Sequence, residues 1–147
     1  MAGPVRFALS VATLLTLACV SAPLTKHGID VVGTAADRRQ LAGSWRGTFE
    51  TPNHTHDGTI QFDIDDSGSK GDGSVLLTDQ NARLRVIYVR ISGADIAGAI
   101  EPYFDKVCNC TVYSTFTGRL ETPAIRGEFL MKLRSGPPIV GSWFVTR

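Results

Sequence analysis

The fold class this sequence predicts is all-β, an antiparallel meander of about eight short strands that closes into a small barrel. Three observations predict it. First, apolar and polar residues alternate with period two. Ile60, Phe62 and Ile64 are interleaved with Gln61, Asp63 and Asp65, and Ile125, Gly127, Phe129, Met131 and Leu133 alternate in the same way. Second, the separators are short and rich in turn formers, so there is no room for crossover helices and neighbouring strands must run antiparallel. Third, the pattern apolar-x-Gly-x-apolar occurs four times: Leu41–Trp45, Ile96–Ile100, Ile125–Phe129 and Ile139–Trp143. Period two turns each central glycine toward the same face as its apolar flanks. An inward glycine suits a strand that must coil sharply, or one that faces a large ring on a neighbour. The flatter alternative, a two-sheet sandwich with glycine bends, uses the same alternation.

The candidate strands lie near 43–51, 58–65, 73–79, 83–92, 95–101, 110–118, 124–133 and 138–146. Pro52-Asn53, the Asp65–Gly73 run, Asp79-Gln80-Asn81, Ser92-Gly93 and Ser135–Pro138 separate them. They form one domain over 41–147. Ahead of it, 23–40 reads as a linker or a short helix near Thr34–Gln40.

Residues 1–22 read as a signal peptide. One positive charge, Arg6, precedes the uncharged apolar run Phe7–Val20, which is too short for a membrane span. Cys19 after Ala18 resembles the lipidated cysteine of bacterial lipoprotein signals, although Thr16 stands where those signals usually carry Leu. Cleavage after Ser21, with Cys19 and Ser21 as the small recognition residues, is the other option. Either way the protein is expected to be exported: periplasmic, secreted or lipid-anchored at the cell envelope. A lipid anchor is the only membrane attachment this implies. The net charge of +1 gives no nucleic-acid footprint and no polybasic patch.

Gly43-Ser-Trp45 on the first strand, followed by a meander of short strands, resembles the calycin group of lipocalin-like and avidin-like barrels. The resemblance implies a basic residue from the last strand over Trp45, with Arg147 and Arg134 both available. It does not imply biotin binding, because the inward positions are Ile, Phe, Leu, Trp and Gly rather than polar. A small apolar ligand inside the barrel is the leading expectation, with Trp45, Phe62, Phe116, Phe129 and Trp143 as its wall. If those rings fill the space over the glycines, the domain is instead a structural or interaction module with a filled core.

The remaining chemistry is sparse. Cys108 and Cys110 are two apart, roughly 6.5–7 Å between Cα atoms in a regular strand, so a disulfide needs a bulge or loop there. Export favours such a bridge; buried thiols or a redox role are the alternatives. His54 and His56 could share a metal, and a metal- or thiol-dependent activity could use His54, His56, Cys108 and Cys110 together. Polar loop residues after Pro52-Asn53 explain the two histidines better. Asp63–Gly68 resembles the opening of a calcium loop, but Ser74 stands where a bidentate Glu is needed, and a solvated hairpin explains it better. Asn53 and Asn109 head glycosylation acceptors. No nucleophile–base pair, phosphate-binding loop, catalytic residue or cofactor is indicated, and a non-catalytic role is expected.

Overall fold

The computed structural model describes residues 28–147. It contains nine strands and one short helix: β1 (Ile29–Val32), α1 (Ala35–Gln40), β2 (Gly43–Glu50), β3 (Gly58–Ile64), β4 (Lys70–Leu77), β5 (Ala82–Ser92), β6 (Asp95–Asp105), β7 (Cys110–Glu121), β8 (Ala124–Lys132) and β9 (Ile139–Thr146). The signal-type segment and Cys19 lie outside the described residues.

Strands β2 to β9 are the antiparallel meander, and β2 pairs with β9 to close it, from Arg46 opposite Thr146 to Glu50 opposite Ser142. The sheet is therefore a closed barrel and not a sandwich. The eight strands read from the sequence are β2 to β9, and the structure adds a ninth, β1. β1 is a wedge: β4 and β5 pair only near their hairpin, from Ser74–Arg85 to Leu77–Ala82. Where they part, β1 enters antiparallel to β4 at Ile29–Gly71 and parallel to β5 at Asp30–Tyr88. The parallel edge makes the barrel mixed. β1 falls in the stretch read as linker or helix, because Ile29-Asp30-Val31-Val32 is too short for its alternation to register. Its inward pair, Ile29 and Val31, is buried in the core.

Helix α1 follows β1. Thr34 caps it by accepting from the Asp37 N–H, and it ends as the Leu41 N–H returns to the Arg38 carbonyl. Leu41, 1% exposed, then folds over this end of the barrel. Trp45 lies beneath, fully buried, its indole N–H donating to the Leu41 carbonyl at 2.8 Å and its ring stacked on Phe62. Of the two basic residues available, Arg147 covers Trp45. Its guanidinium stands 4.7 Å from the ring centroid and donates to the Ala42 carbonyl at 3.1 Å.

The interior follows one rule of register. Five inward rings each face a glycine directly across the ladder: Phe49 opposite Gly58, Phe62 opposite Gly73, Phe116 opposite Gly98, Phe129 opposite Gly141, and Trp143 opposite Gly127. Four of the rings lie in the space a side chain would need, whereas at Gly73 the nearest atoms are Ile29 Cδ1 and Phe62 Cβ. A Cβ at Gly98 would stand 2.2 Å from Phe116 Cζ, and one at Gly141 would stand 2.2 Å from Phe129 Cζ. Trp143 reaches further, because Gly127 is itself opposite Gly118. The indole crosses both and donates to the Thr117 carbonyl at 2.8 Å. Three of the four glycines in the recurring motif serve this purpose. Gly43 does not: its φ of +115° sets the turn into β2, and a Cβ there would meet Arg147.

Two outcomes follow. Gly98→Ala and Gly141→Ala should each lose at least ~1–3 kcal/mol to overpacking in chemical denaturation, because backbone oxygens as well as rings stand in the way. Arg147→Ala should lose about 1–2 kcal/mol, and Arg147→Lys should recover only part of it, since ammonium cannot stack flat on the indole.

Candidate functional site

The barrel offers three places where function could reside: its interior, the loop end opposite Trp45, and the outer surface. In the interior, Phe62, Phe116, Phe129 and Trp143 line an apolar cavity of about 60 Å³, while Trp45 closes the end of the barrel and does not line it. A pocket for a lipid or drug-sized molecule occupies roughly 300–1,000 Å³, several times more. Edge-to-face contacts between Phe116 and Trp143 and between Phe49 and Phe129 consume much of the interior. Among the lining residues Ser114, Tyr103 and Trp143 carry polar side-chain groups, and the Trp143 N–H is already bound to the Thr117 carbonyl. The Tyr103 hydroxyl is buried without a hydrogen-bond partner. Burial, with the Asp105 and Asp79 carboxylates nearby, pushes its pKa up and keeps it protonated.

At the loop end the sequence reading missed the central residue, Asp105. It is the last residue of β6 and is fully buried. One carboxylate oxygen faces His56 Nε2 at 2.7 Å. The other accepts from Gln80 Nε2 at 3.0 Å and from the Val107 N–H at 2.7 Å. Three separate loops, 51–57, 78–81 and 106–109, are thus fastened to one carboxylate. His56, 3% exposed, also contacts Thr55 Oγ through Nδ1, and its own N–H donates to Thr51 Oγ. Burial drives the Asp105 pKa upward, but the hydrogen bonds from His56, Val107 and Gln80 outweigh it and hold the carboxyl below its ordinary range. Neither the loop position of His56 nor the charge of Asp105 in the sequence indicated burial, since both pattern as solvated turn residues.

His54 goes a different way. It is exposed, and its Nδ1 pairs with Asp57 at 2.7 Å. That bond raises the His54 pKa, while the Thr51 backbone N–H is foremost in lowering that of Asp57. The two histidines therefore serve different partners. Cys108 and Cys110 are joined in a disulfide with Cα atoms 5.2 Å apart, closer than in a regular strand because 106–109 forms a loop with Asn109 at φ +51°. Their sulfurs are thus not free thiols. Among the described residues no group of three or more His, Cys, Asp or Glu side chains is placed to hold a metal ion. In the loop that resembled a calcium site, Asp65 accepts from Ser67 and from the backbone of Ser69 and Lys70, which closes a hairpin and lowers its pKa. Asn53 and Asn109 are both exposed.

Asp105→Ala should cost about 3 kcal/mol in denaturant unfolding, since it strips the partner from the buried His56 and the acceptor from the part-buried Gln80 and Val107 bonds. The depressed folded-state pKa of Asp105 also fixes a pH dependence. Its stabilisation is complete above the unfolded Asp value and disappears as pH falls through the folded value. Stability measured from neutral to acid pH should therefore drop below about pH 4, less steeply in Asp105→Asn.

No protein-family model, no curated protein and no solved structure matches this chain, so its function rests on the chemistry of its own residues.

Proposed function

We propose that this protein is an exported, non-catalytic barrel with a filled core, acting at the cell envelope through its outer surface. The observation that carries this reading is the pairing of five inward rings with cross-strand glycines, beside a cavity of only about 60 Å³. The polar groups at the loop end support it too: Asp105 and His56 are engaged with each other and with backbone and side chains that hold loops. Export, with or without a lipid on Cys19, rests on the signal-like order of residues 1–22. A calycin-like ancestry is supported by Gly43-Ser-Trp45, by closure of a small barrel and by Arg147 stacked on Trp45.

A second reading, a barrel that binds a small apolar ligand, is favoured by the apolar walls of the remaining cavity and by the partnerless Tyr103 hydroxyl beside it. Trp143 lines that cavity and reports on its contents. Titration with a monomeric fatty acid or a hydrophobic dye should leave tryptophan emission unchanged over a wide concentration range. A saturable change, lost when Phe116 or Phe129 is enlarged to Trp, would overturn the filled-core reading in favour of the ligand.

A further inference from the structure

The three most exposed large hydrophobic side chains of the described chain lie together. Val107 is 70% exposed, Phe104 59% and Tyr113 58%, and all belong to the β6–β7 hairpin. Phe104 faces outward at the end of β6, Val107 is in the turn, and Tyr113 faces outward near the start of β7. The turn is held firmly: the Cys108–Cys110 bridge closes it, Asp105 anchors its base, and the Val107 N–H is bound to that same carboxylate. Two lysines flank the apolar tip, Lys106 in the turn and Lys132 directly opposite Tyr113 on β8. Neither has a carboxylate partner among the described residues.

We infer that this hairpin tip is a membrane-contact element, with Phe104, Val107 and Tyr113 entering the interfacial region of a bilayer and Lys106 and Lys132 meeting anionic headgroups. Size and shape favour lipid over protein. The three side chains expose on the order of 300 Å² on a convex tip, well under the ~800 Å² each partner gives to a stable protein interface. A small apolar wedge with an aromatic rim and flanking cations is what an interface between water and acyl chains accommodates. The inference deepens the proposed outer-surface function by naming its partner.

The test uses the full chain carrying Val107→Trp, added to phosphatidylcholine vesicles containing a minority of phosphatidylglycerol, with wild-type emission subtracted. The indole introduced at position 107 should shift to the blue and be quenched by bilayer-brominated lipid. Val32→Trp, at the opposite end of the barrel and also exposed, should show neither effect. Lys106→Glu with Lys132→Glu should weaken the quenching about tenfold in lipid concentration, and added salt should do the same. Phe104→Ser with Tyr113→Ser should weaken it without changing the thermal melt, since both side chains are on the surface. If the protein sediments with vesicles while the indole at 107 stays in water, the assignment is overturned. A blue shift that instead follows protein concentration in lipid-free buffer would make the tip a contact between copies and overturn it equally. The interior titration is independent: it can fail the filled core while position 107 still enters lipid, and the reverse can also occur.

Discussion

Closing eight meandering strands around an axis leaves little space for side chains, and every ring that points inward competes for it with whatever faces it. This protein resolves the competition in register. A ring on one strand faces a glycine on the next, five times around the barrel, from Phe49–Gly58 to Trp143–Gly127. The missing side chain gives the ring its volume, and the same absence lets the strand coil as closure requires. The nearly filled interior follows from that pairing, and so does the reach of Trp143 across Gly127 and Gly118 to the Thr117 carbonyl.

The two ends of the barrel are closed by different chemistry. At the α1 end the seal is apolar and cationic: Leu41 and Trp45 are buried, and Arg147 stacks on the indole from outside. At the other end the seal is a buried carboxylate. Removing Asp105 from water is unfavourable unless its oxygens are fully engaged, and His56, Gln80 and Val107 engage them. Because those donors come from three loops, the cost of burying one charge becomes order in the loops. The β6–β7 hairpin receives most of that order, with a disulfide added at its turn. That hairpin holds Val107 and Phe104 in water, the two most exposed large hydrophobic side chains among the described residues.

Much of this was legible before any coordinates. Ile60–Asp65 and Ile125–Leu133 carry the period-two signal openly, and the two-residue spacing of the cysteines meant that a bridge between them needs a bulge or loop. Other features were not legible. β1 has four residues and no partner nearby in sequence, so nothing local distinguishes it from linker. Gly43 matches the inward-glycine motif but is fixed by a positive φ. His54 and His56 look like a pair, yet one is exposed and the other buried, because Asp57 is near in sequence and Asp105 is 49 residues away from His56.

The sequence by itself determined the strands, the meander and the apolar character of the inside, because alternation and turn chemistry act over a few residues and leave local marks. It also supplied the rings and glycines of the core. Only the tertiary structure decided which ring meets which glycine, that Arg147 rather than Arg134 covers Trp45, and that Asp105 and His56 are interior. Those outcomes depend on cross-strand register and on closure of β2 against β9. Both bring together residues far apart in the chain, and no local pattern encodes which of them will meet.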